Sequence, residues 1–284
     1  MIFGHYSITT LHGIMAEKEK GSIYRAGKHS VKHYAKLISY PCGVADIVAS
    51  SNPDFGDPGW ELSEDYSHPK RIPKSSADRK TADPKEEDLE RSMRRARAKL
   101  RRLALANNFR WFVTLTLDPS KVDSHDGAAV VKKLNAWCSN MVQRRGLKYI
   151  LVPERHKKGG IHFHGFFNDC MEVVDSKHTD RQGHTIYNLP QWSLGFTTAI
   201  ELYDDYQKAV GYVCKYVGKQ GEKPAGRWYY SGGDLIEPTV QYMEISASDL
   251  AAMYPDKVMT FSPPGKQIAI VNGLVLEQVQ MEVN

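Results

Sequence analysis

Hydrophobic and polar residues alternate along several short stretches of this chain, and elsewhere apolar residues recur every three or four positions. Alternation is typical of a strand with one buried face, whereas three-to-four spacing is typical of an amphipathic helix. In residues 109–117, FRWFVTLTL, valine and leucine point to one face while Thr114 and Thr116 point to the other. This stretch predicts a β-strand.

The same two patterns predict the remaining elements. Helices are expected at residues 83–107, 127–145 and 204–219, and strands at residues 148–153, 161–167 and 194–202. Residues 170–192 are polar and predict an insertion or loop, and shorter strand-like pieces follow at residues 239–245, 267–271 and 274–279. The order of strand, helix, hairpin, strand and helix predicts an α+β domain with a largely antiparallel sheet.

Shifts in composition divide the chain into four regions. Residues 1–50 contain no motif that can be interpreted, and residues 51–84 are rich in Pro, Asp, Ser and Lys, which is typical of a linker. Residues 85–220 contain the main predicted elements. Residues 221–284 are expected to form a C-terminal extension that packs on that domain or follows it.

Positive charge is concentrated in the first of these helices. The net charge is only +5, but seven basic residues lie within residues 91–102. The residues expected to contact DNA phosphates are Arg94, Arg95, Arg97, Arg101 and Arg102. The alternative is that this block is simply a solvated helix face.

Overall composition is that of a soluble globular protein, with 41% hydrophobic and 25% charged residues. No apolar run approaches the roughly 20 residues of a membrane span, and the first residues lack the pattern of a signal peptide. The four cysteines contain no CxxC pair, which argues against a zinc ribbon and favours reduced thiols. We therefore expect a cytoplasmic protein with no membrane partner.

The segment IHFHG at residues 161–165 predicts a metal site. In a strand, His162 and His164 point to the same face, while Phe163 points into the core. If residues 155–160 close a hairpin, Glu154 lies opposite His162, with the two Cβ atoms about 5 Å apart. One carboxylate and two imidazoles suit Mg²⁺ or Mn²⁺ and also tolerate Zn²⁺ or Co²⁺.

Two other interpretations of these histidines remain open. His162 and His164 could be hydrogen-bonded core residues, because single histidines more often are. His156 could replace one of them as a ligand, although a loop histidine is more often solvated. His178 and His184 lie in the polar insertion and are weaker candidates.

The segment YVCKY at residues 212–216 places two phenols on one helix face, because residues four apart are neighbours there. Attack by Tyr212 or Tyr216 on a phosphodiester would form a phosphotyrosine and release a free hydroxyl. The ammonium of Lys215 can lie near both phenols, and Lys208 and Lys219 extend the basic face, so Lys219 is expected to contact DNA. The alternative is a stripe of core aromatic residues.

Three motifs in this order resemble those of the HUH-endonuclease (Rep) superfamily. They are the strand FVTLTLD at residues 112–118, Glu154-x7-His162-Phe163-His164-Gly165, and Tyr212-x-x-Lys215-Tyr216-Val217-x-Lys219. The paired tyrosines around a lysine are most similar to replication initiators of single-stranded-DNA phages of the gene A type. The basic helix before the strand is also similar to phage and plasmid replication-associated proteins. The resemblance covers roughly residues 85–220.

This resemblance implies an RRM-like, five-stranded antiparallel sheet flanked by helices, with N-terminal and C-terminal extensions. It implies nicking of single-stranded or extruded origin DNA, a 5′-phosphotyrosine link, and strand closure at the end of a rolling-circle round in a bacterial cytoplasm. Carried over by position, His162, His164 and Glu154 would be the metal ligands and Tyr212 and Tyr216 the nucleophiles. Lys215 would be the supporting cation.

Absent motifs limit the alternatives within this class. No GxxxxGK[ST] segment occurs, so no P-loop ATPase is expected, and a host helicase would unwind the DNA for a host polymerase. The metal motif has two histidines, whereas the relaxases that it also resembles usually have three. A single-tyrosine transposase is a further alternative, against which the tyrosine pair argues.

Two alternatives from other classes remain. An RRM-like module without catalytic activity would stack nucleic-acid bases on sheet aromatics such as Trp111, Phe112 and Phe163. It would need no metal and form no covalent product. A hydrolytic nuclease that uses only the metal would cleave DNA without becoming attached to it.

Overall fold

The computed structural model describes residues 34–52, 86–157, 159–202, 206–219, 221–263 and 265–275. The predicted linker beyond residue 52, the predicted helix start at residues 83–85 and the predicted strand beyond residue 275 lie outside the described residues. Contacts divide the chain into two compact units, one formed by residues 83–237 and the other by residues 1–82 with 238–284.

The described part of the chain contains helices and antiparallel strands, so the predicted α+β class is confirmed. In chain order the elements are β1 (Ala35–Ser39), β2 (Val44–Ser50), α1 (Glu86–Ala106), β3 (Trp111–Leu117), α2 (Gly127–Arg145), β4 (Tyr149–Arg155), β5 (Ile161–Phe167), β6 (Val174–Thr179), β7 (Thr185–Asn188), β8 (Gly195–Glu201), α3 (Tyr206–Tyr216), β9 (Tyr230–Gly232), β10 (Thr239–Met243), α4 (Ala247–Met253), β11 (Met259–Phe261) and β12 (Ile268–Val275).

The unit of residues 83–237 is built on a seven-stranded sheet with the order β6-β7-β8-β3-β5-β4-β9. The resemblance implied five strands; β6 and β7 lie in the segment that was expected to be a loop or insertion. That expectation was wrong because most β6 side chains are exposed, so no buried face imposes an alternating pattern. Residue Lys177 also interrupts the pairing of β6 with β7, with a φ of +63°.

One face of this sheet forms the main core. Its strands contribute alternate side chains, and α2 contributes residues spaced three or four apart. The fully buried members include Val113, Leu115, Phe163, Val130 and Leu134. The opposite face of the sheet is therefore free to carry the polar side chains of the central strands.

Gly165 allows β5 to pack closely beside β4. A Cβ atom at this position would lie 1.8 Å from the carbonyl oxygen of Ile150, far inside van der Waals contact. Glycine is therefore required directly after the second histidine. This close pairing fixes the register of the β4–β5 hairpin.

Helix α3 is anchored at its C-terminal end by α1. The guanidinium Nε of Arg97 donates a hydrogen bond of 2.9 Å to the carbonyl oxygen of Val217. Gly218 then adopts a φ of +71°, in the left-handed region that favours glycine. The chain reverses here, and Lys219 follows directly.

The other unit contains a five-stranded sheet with the order β10-β1-β2-β12-β11 and helix α4. Its buried Asp46 accepts hydrogen bonds from the Tyr40 hydroxyl at 2.6 Å and from the Gly273 amide at 2.9 Å. The two strand pieces predicted at residues 267–271 and 274–279 are one strand, β12, with a register shift between Val271 and Leu274. A β-bulge of this kind breaks the alternating pattern without ending the strand.

Candidate metal and tyrosine site

Three side chains converge on the polar face of the sheet, at the β4–β5 hairpin. The register pairs Glu154 with His162 and Val152 with His164, as the hairpin spacing predicts. One ligand atom from each of Glu154, His162 and His164 lies within 4.8 Å of the others. Such a cluster could hold a divalent metal ion, and it is the one group of this kind in the described residues.

The carboxylate of Glu154 is the centre of this cluster. Its Oε2 lies 3.2 Å from His162 Nε2 and 3.0 Å from His164 Nε2, and its Oε1 accepts a hydrogen bond of 2.7 Å from Lys219 Nζ. Burial opposes ionisation of this carboxyl, but the hydrogen bond from Lys219 and the nearby positive charges prevail and lower its pKa. Glu154 is therefore an anionic oxygen ligand at neutral pH.

Both imidazoles are held in the form that binds metals. Burial, reinforced by the neighbouring His162, lowers the pKa of His164 to about 4. Burial likewise lowers the pKa of His162. Neutral imidazoles have a free lone pair, so neither histidine must lose a proton to become a ligand at neutral pH.

Thr114 of β3 lies behind His164. Its Oγ1 is 3.1 Å from His164 Nδ1, on the far side of the ring from Glu154. If Nδ1–H donates to Thr114, Nε2 presents its lone pair to a metal ion, which is the usual arrangement behind a histidine ligand. The buried donor set and this supporting contact fit a divalent cation.

Replacement Thr114→Val should weaken metal binding without removing a ligand. Loss of the Nδ1 partner leaves the His164 ring free to rotate and to change tautomer, so the Kd for Mn²⁺ should rise about 10- to 100-fold. Titration calorimetry with Mn²⁺ measures this. Thr198→Val, an exposed threonine paired with Thr114 on β8, is the matched control. Equal Kd values for the two variants would contradict the assigned role.

The two tyrosines of α3 lie directly against this cluster. The ring of Tyr216 stacks on His164 with centroids 4.1 Å apart and planes 15° from parallel. The Tyr216 hydroxyl donates to the Tyr212 oxygen at 2.5 Å. Tyr212 is 49% exposed, and its ring meets the edge of Phe112 at 5.8 Å. The tyrosines are therefore at the surface beside the cluster, and Tyr216 is the inner one.

Burial raises the pKa of Tyr216, and the hydrogen bond with Tyr212 and the charge of Glu154 raise it further. The phenol is thus protonated in the resting protein. A nucleophilic phenolate would require additional positive charge close to the ring.

The lysine that reaches the site is Lys219, which the sequence analysis assigned to DNA contact. Its Nζ lies 5.2 Å from the centroid of the Tyr216 ring as well as beside Glu154. Lys215, predicted as the supporting cation, is exposed on α3. The turn at Gly218 brings Lys219 back over the ring. A glycine at the end of a predicted helix, followed by lysine, is the signal in the sequence.

The other predicted histidines and arginines are placed around this centre. His156 lies beside the cluster, with its ring 5.8 Å from that of His162, whereas His184 on the β6–β7 hairpin pairs with Asp180. The arginines of α1 differ in exposure: Arg94, Arg95 and Arg102 are exposed, while Arg97 and Arg101 are half-buried. Arg97 supports α3 through Val217.

Two of the three aromatic residues suggested for base stacking are not accessible. Trp111 is 3% exposed and Phe163 is 0% exposed, both on the core face, while Phe112 is half-buried. Phe196 of β8, which the sequence analysis did not single out, is 68% exposed. An alternating strand pattern, GFTTAIE, could have indicated that Phe196 faces away from buried Ala199.

Comparison with known proteins gives one match. A protein-family model described as a replication-associated protein of the ORF2 type matches residues 110–221, the region that holds all three motifs. The resemblance to Rep-type replication initiators is thereby confirmed for this region. The search of curated proteins found no match, and neither did the search of solved structures.

None of the described helices combines the length and apolar character needed to cross a membrane.

Proposed function

We propose that this chain, whose residues 110–221 match a family of replication-associated proteins, initiates rolling-circle replication by nicking single-stranded origin DNA through a tyrosine. One observation carries the proposal. A buried carboxylate–histidine cluster lies in direct ring contact with a tyrosine, with the centroids of His164 and Tyr216 4.1 Å apart. This juxtaposition serves phosphoryl transfer to a protein side chain and has no need of an ATPase.

Glu154, His162 and His164 would hold a divalent ion, Mg²⁺ or Mn²⁺. When bound, this ion supplies charge withdrawal from the scissile phosphate. The oxygen of Tyr216 or Tyr212 forms a bond to phosphorus while the bond from phosphorus to the 3′ oxygen breaks. The 3′ oxygen leaves and takes up a proton, and the 5′ phosphate stays on the tyrosine. The phenol proton of Tyr216 can pass to the Tyr212 oxygen along their 2.5 Å hydrogen bond.

The reverse reaction closes a strand. A 3′ hydroxyl attacks the phosphotyrosine, the phosphodiester re-forms and the tyrosine is released, so no external energy source is needed. Two adjacent tyrosines permit two transfers in succession, one at initiation and one at termination. Tyr216 is placed to act from its position against His164, whereas exposed Tyr212 has greater freedom to reach a second strand.

Lys219 is the cation that supports the tyrosine in this proposal. Its ammonium lies near both the Tyr216 ring and Glu154, so it stabilises a developing phenolate as well as the ionised carboxylate. The exposed arginines of α1 and Lys215 would contact DNA phosphates at a distance from the reacting atoms. Host helicase and polymerase would follow the nick.

Lys219→Ala should slow nicking more than Lys215→Ala does. Loss of a charge-assisted contact at the reacting group should lower the single-turnover rate about 100-fold, while loss of one exposed phosphate contact should change it by less than about tenfold. Quenched-flow assays with saturating DNA measure both variants, since saturation separates rate from affinity. A larger defect in Lys215→Ala would assign the supporting role to that lysine instead.

The experiment that tests the proposal uses single-stranded oligonucleotides that tile the DNA molecule encoding this chain. Each strand is labelled at the 5′ end or at the 3′ end and incubated with the protein and Mn²⁺. The proposal expects the 3′-labelled fragment to migrate with the protein on a denaturing gel. The 5′-labelled fragment should be free and should serve as a primer for a DNA polymerase.

Other results would identify the alternatives. Two free fragments without protein would indicate a hydrolytic nuclease. Binding without any cleavage would indicate an RRM-like module. Cleavage that survives loss of either single tyrosine without a second transfer would favour a single-tyrosine enzyme of the relaxase or transposase kind.

A further inference from the structure

Phe196 is an exposed aromatic residue on the face of the sheet that bears the metal cluster. Its exposure of 68% is the highest among the exposed large hydrophobic side chains of the described residues. The register pairs Phe196 with Thr116 on β3, and Thr116 with His162 on β5. Directly paired residues share a face, so Phe196 lies two strand spacings, about 10 Å, from His162.

The surroundings of Phe196 are open and polar. Thr116 and Thr198, its neighbours on this face, are both exposed. A single apolar ring among threonines is too small a patch for a protein interface, which buries a much larger area. It is, however, the size of one nucleobase.

The backbone that carries the ring is firmly held. At neighbouring Gly195, an added Cβ would lie 2.2 Å from the carbonyl oxygen of Thr116, so β8 packs against β3 without a side chain between them. The indole Nε1 of Trp192 donates to the same oxygen at 3.1 Å. A ring on such a rigid strand loses little conformational freedom when it binds a ligand.

We propose that Phe196 stacks on a base of the single-stranded DNA whose phosphate lies at Glu154, His162 and His164. The inference rests on the proposed function and adds the part of the site that holds the base. A nucleotide combines an anionic phosphate with a planar apolar base, and this face offers a cationic centre and an aromatic ring about 10 Å apart. Lys219 and Phe196 flank the cluster on opposite sides, so the strand would cross the sheet from α3 towards β8.

The test compares two strands that differ only in their bases. In a full-length background carrying Tyr212→Phe and Tyr216→Phe, which cannot form the covalent link, the Kd is measured by fluorescence anisotropy in Mg²⁺. The probes are oligothymidylate of about 20 nucleotides, longer than one such surface covers, and an abasic strand of equal length. Phe196→Ala is compared with Phe196→Trp and with Phe261→Ala, a control that is 52% exposed in the other unit.

Stacking on one base predicts that Phe196→Ala weakens oligothymidylate binding about tenfold and leaves binding of the abasic strand unchanged. Phe196→Trp should restore the affinity, and Phe261→Ala should have no effect. Unchanged oligothymidylate affinity in Phe196→Ala would overturn the proposal. An equal loss for both strands would also overturn it, because the defect would then not involve a base.

The nicking assay on protein with both tyrosines intact separates this inference from the proposed function. A covalent adduct with no effect of Phe196 on base-dependent binding removes the stacking role alone. A base-dependent effect of Phe196 without any adduct keeps the stacking role and removes the nicking function.

Discussion

Protein in which Tyr212 and Tyr216 are both replaced by phenylalanine forms no covalent link to DNA. The two hydroxyls lie 2.5 Å apart beside His164, and a phenylalanine ring preserves their packing while removing the attacking oxygen. Loss of the nucleophile should lower strand transfer by on the order of 10⁴-fold or more. The measurement is the fraction of labelled single-stranded DNA that migrates with protein on a denaturing gel.

The single replacements should differ from each other. Tyr216 is the inner residue, stacked on His164, so Tyr216→Phe should lose most of the first transfer. Tyr212→Phe should keep the first transfer but lose rejoining, which requires a second nucleophile. Tyr242→Phe, on β10 of the other unit, is the matched control and should retain both. Full activity of the double variant would refute the role of the tyrosines.

Replacement His162→Ala removes metal-dependent cleavage with little loss of stability. His162 is a half-buried ligand on the rim of the cluster, so its removal leaves the buried core of β5 intact. A metal ion is worth several kcal/mol of transition-state stabilisation, so the cleavage rate should fall at least about 10³-fold. Thermal unfolding followed by circular dichroism checks that the protein remains folded, and calorimetry with Mn²⁺ checks the loss of the site.

His156→Ala is the matched control for this replacement. Its ring lies only 5.8 Å from that of His162 but outside the three-residue cluster. The rate should change by less than about tenfold, as expected when no ligand is lost. A defect in His156→Ala as large as that in His162→Ala would make His156 a ligand, which was one of the alternatives left open by the sequence.

The local pattern was sufficient to predict the centre of the site. Alternation in the IHFHG segment places His162 and His164 on one face, and a short hairpin fixes Glu154 opposite His162. Both consequences follow from the period of a β-strand, which depends on nothing outside the hairpin. The facing of Tyr212 and Tyr216 on α3 follows in the same way from the helical period.

Features that depend on the tertiary structure could not be predicted in this way. Helical spacing favoured Lys215 as the supporting lysine, but the turn at Gly218 brings Lys219 to Glu154 instead. Strand β6 has no consistent buried face, so its sequence lacks the alternating pattern of a strand. The exposure of Phe196 depends on which side of β8 is covered, and only the pairing of β8 with β3 determines that.

The most direct test of the central claim is mass spectrometry of the covalent product. Protein is incubated with single-stranded DNA of the molecule that encodes it and Mn²⁺, digested with nuclease and protease, and analysed for peptides that carry a nucleotide. The account predicts a nucleotide joined through its 5′ phosphate to Tyr216 or Tyr212, formed with Mn²⁺ and absent when EDTA is present. A nucleotide on any other residue, or cleaved DNA with no modified peptide, would contradict it.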